Sequence, residues 1–369
     1  MKRVLFLIPS LGGGGAERVL VNLANNLSRE KYDVTVQTLF DVGVNRQHLQ
    51  SHVTYIPGFP RQFRGNIHVM KLLPTKWLYR LVVKKPYDVV ISYLEGPTAR
   101  IAAGCPDPNT KLVSWIHVEQ RTKETAAHSF RSFREAESCY RRFHRTVCVA
   151  ETVKQDFESI FNLTEPAQVL YNTNETDRIV EQGSETPADL TLSEGINVFT
   201  VGRLRWEKGY DRLVRVHKRL LDEGFAHHIY ILGEGDEKES LLQRIAEEKV
   251  EETFHLLGFR QNPYQYVSKA DLFVCSSRRE GFSTAVTEAL ILGVPVVSTN
   301  CSGAKELLGQ QNEYGIVTEN SEEGVYQGMK QMLSDPEMLS HYKNQAIKRG
   351  PSFSKVASIA AVENMLDAL

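Results

Sequence analysis

Two short stretches of the chain carry residue types that could do chemistry together. Residues 202–209 read Gly-Arg-Leu-Arg-Trp-Glu-Lys-Gly and contain the cations Arg203 and Lys208. Residues 280–288 read Glu-Gly-Phe-Ser-Thr-Ala-Val-Thr-Glu and begin and end with a carboxylate. Guanidinium and ammonium groups bind the oxygens of a diphosphate, and carboxylates accept hydrogen bonds from hydroxyl groups. A nucleotide sugar carries both a diphosphate and hydroxyl groups.

Each stretch also has a plainer interpretation. The first could be a basic surface turn, and the second could hold two solvated glutamates. Phe282 favours burial, which argues against a solvated face beside Glu280. We expect a helix to begin near Ser283, with the unsatisfied N–H groups of its first turn exposed to a ligand. Glu280 would precede that helix, and Glu288 would lie more than one turn inside it, within reach of a ribose.

Two glycine clusters follow apolar runs. Residues 12–15 are four glycines between the first predicted strand and the first predicted helix, where the backbone could approach an anion. The dinucleotide fingerprint G-x-G-x-x-G fails there, because Glu17 or Arg18 stands at the third glycine position, and this disfavours NAD. Gly233 and Gly235 follow a later run, and a simple tight turn explains them equally well.

His117 follows the apolar run 112–116, where a histidine could face a ligand or merely hydrogen-bond a loop. The sequence contains no Walker A loop, no G-x-S-x-G and no H-E-x-x-H motif. It also contains no Asp-x-Asp, so a metal-chelating diphosphate site of that type is not expected. We expect no cofactor and no metal.

Composition narrows the class of protein. A chain of 369 residues favours two domains, and 41% hydrophobic with 24% charged residues is typical of a globular protein. The net charge of −1 gives no argument for a nucleic-acid partner, but residues 1–175 carry +7 and the remainder −8. The five cysteines form no C-x-x-C pair, so neither a zinc site nor a disulfide framework is expected, and a reducing cytoplasm fits.

Short β-branched runs alternate with helical periodicity, which predicts an α/β fold with parallel sheets. The pattern lapses at about 171–194, where we place a linker. We predict domains at 1–171 and 172–351 and a final helix at 352–369. The predicted strands are 4–8, 34–39, 89–93, 112–116, 145–149, 198–201, 229–232, 254–256, 272–275 and 294–298.

Two basic and aromatic regions lie in the first half. The stretch from Phe59 to Pro86 contains no acidic residue, and residues 130–145 form a second such region. Basic and aromatic residues on amphipathic helices suit an anionic membrane surface, although helices with solvated faces would look the same. The cations of the first stretch are Arg61, Arg64, Lys71, Lys76, Arg80, Lys84 and Lys85, and its apolar residues include Phe63, Leu72, Leu73, Trp77, Leu78 and Leu81.

Taken together, these motifs resemble the retaining glycosyltransferases of the GT-B fold, in the group 1 (family 4) class. The resemblance covers nearly the whole chain and is most specific in its second half. It implies two Rossmann-like domains facing each other across a cleft, an N-terminal acceptor domain and a C-terminal domain that binds the nucleotide-sugar donor. The final helix would cross back to the first domain.

The resemblance also implies roles for individual residues. Arg203 and Lys208 would neutralise the diphosphate, Glu288 would hold the ribose, and Glu280 and His117 would meet the donor sugar. Ser283 stands where many relatives have glycine, which leaves the identity of the sugar open. The implied catalytic residues are His117, Arg203, Lys208 and Glu280. The implied donor-binding residues are Gly14, Gly15, Gly202, Gly233, Gly235, Phe259, Gly281, Phe282, Ser283, Thr284 and Glu288. The implied acceptor-side residues are Gly13, Glu17 and Glu95.

The leading interpretation is a retaining, metal-independent hexosyltransferase that moves a sugar from a nucleoside diphosphate, UDP being favoured. Its acceptor would be a lipid-linked glycan or a polysaccharide in cell-envelope glycan synthesis. We expect a cytoplasmic protein, peripheral at the inner face of the membrane, with no nucleic-acid partner. The alternatives are a nucleotide-sugar epimerase of the same shape and a non-catalytic protein that binds sugar nucleotides.

Overall fold

The chain divides into two compact units, which are described in turn. The structure, a computed structural model, describes residues 1–60 and 65–369, apart from the side chains at 66 and 67. Unit 1 consists of Met1–Thr173 with Val356–Leu369, and unit 2 consists of Asn174–Lys355. Residues 61–64 of the first basic stretch, among them Arg61, Phe63 and Arg64, lie outside the described residues.

Unit 1 is built on a parallel sheet whose strands, over the described residues, lie in the order β3-β2-β1-β4-β5-β6-β7. The strands are β1 Lys2–Ile8, β2 Tyr32–Thr38, β3 Thr54–Ile56, β4 Val89–Tyr93, β5 Lys111–Ile116, β6 Arg145–Cys148 and β7 Gln168–Val169. The helices are α1 Gly15–Asn26, α2 Asn66–Leu72, α3 Thr75–Val82, α4 Pro97–Ala102, α5 Lys123–Ala126, α6 Phe133–Tyr140 and α7 Glu151–Ile160, with a 3-10 turn at Val44–His48.

Unit 2 repeats this plan with strands in the order β10-β9-β8-β11-β12-β13, all parallel within the part of the chain described. The strands are β8 Ile196–Val201, β9 His227–Leu232, β10 Phe254–Gly258, β11 Leu272–Cys275, β12 Val296–Thr299 and β13 Ile316–Thr318. The helices are α8 Thr176–Gly183, α9 Tyr210–Asp222, α10 Lys238–Glu247, α11 Tyr264–Val267, α12 Thr284–Ile291, α13 Ala304–Leu308, α14 Glu322–Ser334 and α15 Pro336–Arg349, with 3-10 turns at Trp206–Lys208 and Gly350–Phe353.

Burial explains why both sheets are parallel. Every residue from Val4 to Ile8 in β1 is fully buried, and Val198 and Phe199 in β8 are buried in the same way. Strands that are apolar on both faces need helices on both sides, and helical crossovers join parallel strands. The strand order reverses between β1 and β4 in unit 1 and between β8 and β11 in unit 2. Ligands of such sheets bind beyond the carboxyl ends of the strands at that reversal.

The last helix, α16 (Lys355–Asp367), packs within unit 1 from Val356 onward. The Lys2 ammonium donates a hydrogen bond to the Leu366 carbonyl at 2.6 Å. The backbone N–H of Ser28 donates to the Glu363 carboxylate at 2.8 Å. The end of the chain is therefore tied to the first strand and to the segment that follows α1.

The prediction of an α/β chain with two Rossmann-like parallel sheets is confirmed. The predicted linker at 171–194 is only partly irregular, because α8 lies inside it. The helix α8 is short and amphipathic, and Ile179 lies on its buried face. The strands β3, β7 and β13 were not predicted, since two or three residues are too few to show a periodic pattern.

For the second basic and aromatic region, 130–145, the prediction that its aromatic side chains face a membrane surface is wrong. Phe130, Tyr140 and Phe143 are buried, and the Tyr140 ring lies 4.6 Å from the Phe161 ring. The Arg131 guanidinium donates to the carbonyl of Leu72 at 2.8 Å, so it closes the end of α2. These aromatic rings form part of the core, and the arginine orders the backbone beside it.

Candidate functional site

The carboxyl ends of β8 and β11 bring the two chemically active stretches of unit 2 together. These strands are neighbours in the sheet at the point where the strand order reverses. Gly202 and Arg203 follow β8 directly, and Ser276 and Ser277 follow β11. Residues separated by about seventy positions in the sequence therefore meet at one edge of the sheet.

The central contact of this edge is an ion pair. The Lys208 ammonium lies 2.6 Å from Oε1 of Glu280, and the Ser277 hydroxyl donates to the same oxygen at 2.6 Å. Both side chains are largely shielded, with 26% of Lys208 and 14% of Glu280 exposed. Burial acts to lower the pKa of Lys208, but the attraction of Glu280 outweighs it and raises the pKa above its usual value. The ammonium is therefore a fixed positive charge at neutral pH.

Buried residues beneath this pair hold it in place, and the sequence patterns did not single them out. The Arg212 side chain, buried on α9, donates to the carbonyls of Ser276 at 2.9 Å and Ser277 at 2.8 Å. The Ser276 hydroxyl in turn donates to the Lys208 carbonyl at 2.9 Å. Gly209 has a φ of 67°, and a Cβ there would lie 2.2 Å from the Ser276 carbonyl oxygen. Only glycine allows this close approach.

A second ion pair also connects the segment after β8 to the segment after β11. Arg278 binds both oxygens of Asp211, at 2.6 and 2.8 Å. Its guanidinium also lies 5.0 Å from the centre of the Trp206 ring and donates to the Trp206 carbonyl. Planar two-point contacts of this kind fix geometry more strongly than a single ion pair.

The start of α12 lies just after Glu280. Ser283 is its N-cap, and the hydroxyl accepts a hydrogen bond from the Val286 N–H at 3.4 Å. Ser283 and Phe282 are each 7% exposed. Thr284 begins the helix, as the sequence predicts. One turn further on, Glu288 accepts a hydrogen bond from the Tyr264 hydroxyl at 2.9 Å, so this carboxylate has a fixed orientation.

The glycines after β8 and β9 allow two backbone segments to approach closely. Gly233 follows β9 and has a φ of 155°, and a Cβ there would lie 1.9 Å from the Gly202 carbonyl oxygen. At Gly235 a Cβ would lie 2.3 Å from the Leu204 carbonyl oxygen. Phe259, directly after β10, is 64% exposed. The predicted donor-binding residues 202, 233, 235 and 259 thus all lie at the carboxyl edge of the unit 2 sheet.

In unit 1, His117 lies directly after β5, as the sequence predicts. Its backbone N–H donates to the Glu95 carboxylate at 2.9 Å, and its ring lies 4.6 Å from the Tyr93 ring. Burial lowers the pKa of His117 to about 3, so the imidazole is neutral at physiological pH. Its Nε2 has no hydrogen-bond partner among the described residues, and the same holds for the Tyr93 hydroxyl and the Trp115 indole N–H.

The turn that presents Glu95 is strained. Leu94 has a φ of 86°, a region that favours glycine, and Gly96 follows with a φ of 97°. Such a conformation in a branched residue costs on the order of 1 kcal/mol or more and is commonest at functional sites. The predicted residues His117 and Glu95 are thus hydrogen-bonded to each other, and a strained turn positions Glu95. The sequence did not reveal this turn.

The glycine loop ends where α1 begins. Gly14 is the N-cap, Gly15 is the first helical residue, and Glu17 lies in the first turn. Gly13 precedes them in the loop. In the part of the chain that the structure describes, no cluster of three or more His, Cys, Asp or Glu residues has the arrangement of a metal site.

The comparisons with known proteins cover both units. A sequence model described as "Glycosyltransferase Family 4" matches residues 13–178, and one described as "Glycosyl transferases group 1" matches residues 185–349. The chain is 38% identical over 191 residues to the N-acetylgalactosamine-N,N'-diacetylbacillosaminyl-diphospho-undecaprenol 4-alpha-N-acetylgalactosaminyltransferase of Campylobacter jejuni. That match spans 51% of this chain and 50% of the relative.

Two further similarities run along all or nearly all of the chain. The amylovoran biosynthesis glycosyltransferase AmsD of Erwinia amylovora is 22% identical over 351 residues, which is 94% of each chain. The crystal structure of HepE from Anabaena in complex with UDP and glucose superposes with a TM-score of 0.82 at 20% identity, and covers 100% of both chains. The predicted GT-B fold is thereby confirmed. The chain belongs to the group 1, family 4 glycosyltransferases.

Proposed function

We propose that this chain transfers a sugar, with retention of anomeric configuration, from a UDP-linked donor to a lipid-linked or polysaccharide acceptor in cell-envelope glycan synthesis. The Lys208–Glu280 pair at the strand reversal of unit 2 is the observation that carries the proposal. Three relatives support it: HepE was crystallised with UDP and glucose, AmsD serves amylovoran biosynthesis, and the Campylobacter enzyme acts on an undecaprenol-linked substrate.

The chemistry explains why fixed cations are needed. The bond between the anomeric carbon and the diphosphate oxygen breaks, and the leaving diphosphate gains negative charge. The acceptor hydroxyl oxygen forms the new bond to that carbon, and its proton passes to an oxygen of the departing diphosphate. Arg203, Lys208 and the N-terminus of α12 would stabilise the charge on the leaving group, because preorganised donors are most effective where charge develops.

The other residues have distinct proposed roles. Glu288, oriented by Tyr264, would accept hydrogen bonds from the ribose, and Glu280 with the backbone after it would meet the donor sugar. His117 would contact the sugar near the anomeric carbon as a neutral imidazole. The loop at Gly13–Gly15, with Glu17 and Glu95, would lie toward the phosphates and the acceptor. The reaction would need no metal and no cofactor.

We also propose that the enzyme works peripherally at the inner face of the membrane. On α3, Trp77 is 68% and Leu81 50% exposed, although Leu78 on the opposite face is buried. The basic residues Lys76 and Arg80 lie beside the exposed ones. Apolar and basic residues on one helix face suit an anionic surface. No helix among the described residues is long and apolar enough to cross a membrane.

A panel of nucleotide sugars tests the donor. UDP-sugars should raise the melting temperature of the purified protein, and ADP- or GDP-sugars should not. The best donor is then incubated with lipid-linked oligosaccharides, with and without EDTA. A new glycosidic bond that forms equally in EDTA is the expected result. An altered free sugar nucleotide without transfer would indicate the epimerase, and binding without turnover would indicate a non-catalytic binding protein.

A further inference from the structure

A basic groove lies at the end of the unit 1 sheet opposite to His117. It has a volume of about 380 Å³ and follows the amino ends of β5 and β6. Lys111 begins β5 and His117 follows its end, so about 20 Å of extended strand separates the two residues. The groove is thus distinct from the carboxyl edge. Its charged and basic lining residues are Lys111, Arg141, Arg142, His144, Arg145 and Glu165.

Two of these cations already have local structural roles. Arg141 pairs with Glu137 one turn earlier on α6 at 3.1 Å. Arg142 donates to the carbonyls of Ala103 and Cys105. Both residues also follow the C-terminal end of α6, where positive charge is favourable. A bound ligand is therefore not needed to explain why Arg141 and Arg142 line the groove.

Local structural roles of this kind do not explain the other basic groups, Lys111, His144 and Arg145. In the described part of the chain, no carboxylate lies within ion-pair distance of Lys111 or Arg145, and Arg145 donates only to the carbonyl of its neighbour His144. The His144 Nδ1 accepts a hydrogen bond from the Leu112 N–H at 3.1 Å, which leaves the ring proton on Nε2. Lys111, Arg145 and His144 therefore offer an ammonium, a guanidinium and an imidazole N–H to one groove.

The electrostatics of His144 agree with a local excess of positive charge. Burial lowers the pKa of this imidazole, and Lys111, Arg145 and Arg142 lower it further. Like charges held together repel one another unless an anion lies between them. A phosphoryl group supplies several acceptor oxygens for such a set of donors.

We propose that the groove formed by Lys111, His144 and Arg145 is a binding site for a phosphoryl group, separate from the donor site. The guanidinium of Arg145 and the ammonium of Lys111 bind its oxygens, and the Nε2–H of His144 donates a third hydrogen bond. The phosphoryl group belongs either to a lipid headgroup or to a small soluble phosphate, and both sources present the same chemistry to these side chains.

Inorganic phosphate tests the site, with His144 as a local reporter. The full chain is used without a C-terminal tag, because Leu369 also lines the groove. The histidine side chains are observed by NMR, and a His144→Gln variant assigns the signal. Phosphate should shift the His144 signal saturably and raise its pKa, whereas chloride at equal ionic strength should not. The Lys111→Gln variant should weaken this response by about tenfold, as expected for one lost charged hydrogen bond.

Matched variants separate the groove from other anion sites. Arg203→Ala should leave the His144 response unchanged, because it alters unit 2 only. Lys343→Gln with Lys348→Gln, which removes two exposed charges on α15, should also leave it unchanged. If phosphate produces no shift beyond that of chloride, or if the shift persists in Lys111→Gln combined with Arg145→Gln, the proposal is overturned.

Vesicles identify the source of the phosphoryl group. Wild type and the Lys111→Gln, Arg145→Gln variant are sedimented with phosphatidylglycerol–phosphatidylcholine vesicles. Loss of the phosphate response, together with vesicle binding weaker than that of the Lys343→Gln, Lys348→Gln variant, supports the site with a lipid headgroup as ligand. Loss of the phosphate response with unchanged vesicle binding supports it with a soluble phosphate. Neither readout requires a sugar nucleotide, so the result does not depend on the proposed transferase activity.

Discussion

Lys208 Nζ and Glu280 Oε1 lie 2.6 Å apart, although 72 positions separate the two residues in the sequence. The pair joins the loop after β8 to the loop after β11. Lys208 is also held through its carbonyl by Ser276, and Glu280 is held through its carboxylate by Ser277. Each partner thus has a second anchor, so hydrogen bonds other than the ion pair itself also hold the two loops.

Removing the Lys208 ammonium should therefore reduce catalysis more than folding. Lys208→Ala leaves Glu280 bonded to Ser277, and turnover should fall by roughly 10²–10³, the scale of losing one preorganised charge stabiliser. Arg203→Ala should have an effect of the same size. Initial rates at saturating donor measure both, and Lys218→Ala on the exposed face of α9 is the control. Activity within about threefold of wild type would remove either residue from the proposed role.

The Glu288 carboxylate should contribute to donor binding rather than to turnover. Glu288→Ala should weaken UDP binding by about 1–3 kcal/mol, because it removes hydrogen bonds that involve a charged group. Tyr264→Phe retains the carboxylate but removes the hydroxyl that orients it, so a smaller loss is expected. Isothermal calorimetry with UDP measures both. An unchanged dissociation constant in Glu288→Ala would contradict the ribose assignment.

His117 should act on turnover without titrating in the physiological range. Its pKa is lowered to about 3 by burial, so the imidazole stays neutral from pH 5 to 8. His117→Ala should lower turnover at saturating donor while UDP affinity changes little. The pH–rate profiles of wild type and variant should differ in height but not in shape over this range. A collapse of UDP affinity with normal turnover would show that His117 belongs to nucleotide binding.

Much of this arrangement could be predicted from residue patterns. The strand before Arg203 and the helix after Glu280 follow from apolar runs and from a serine N-cap, which are local signals. The contact of Lys208 with Glu280 is not local, since it depends on β8 and β11 becoming neighbours in the sheet. Arg212 was missed for a different reason. An arginine in a helix usually indicates a solvated face, and only the carbonyls it reaches after folding explain its burial.

A buried chain of hydrogen bonds in unit 2 predicts a loss of stability in acid. The carbonyl of Phe225 requires a proton on Nδ1 of His227, so Nε2 of His227 accepts from Nδ1 of His217 at 2.8 Å. Nε2 of His217 then accepts from the Thr253 hydroxyl. Each ring nitrogen in this chain has a partner when both rings are neutral, and burial lowers the pKa of His217 to about 2 and of His227 to about 4.

The lowered pKa values of His217 and His227 determine how the free energy of unfolding changes with pH. Both folded-state pKa values lie below the unfolded value of about 6.5, so the unfolded chain binds more protons at lower pH. Stability is fully present above about pH 6.5 and falls as the pH decreases toward 4, by about 1.4 kcal/mol per pH unit for each ring. Thermal unfolding at pH 7.5 and 5.0 measures this. His217→Leu with His227→Leu should flatten the dependence, and the exposed His341→Gln should not. Equal slopes in all three proteins would contradict the assignment.

The outer face of α3 should bind anionic lipid surfaces reversibly. Its cations Lys76 and Arg80, and Lys84 just after the helix, are exposed beside Trp77, and each basic residue near such a surface contributes about 1 kcal/mol. The interaction should weaken with salt as the Debye length shortens to about 10 Å at 0.1 M. Wild-type protein should therefore sediment with phosphatidylglycerol vesicles at low salt and be released at high salt.

Charge reversal distinguishes this face from a general electrostatic effect. Glutamate at Lys76, Arg80 and Lys84 should abolish sedimentation and leave UDP affinity intact. The control variant has glutamate at three exposed lysines of unit 2, Lys269, Lys343 and Lys348. It has the same change in net charge and should sediment nearly as well as wild type. Because both triple variants lower the net charge equally, a difference between them must come from the position of the charges. If wild type does not sediment at low salt, α3 is not a membrane-binding face and a soluble acceptor becomes the better hypothesis.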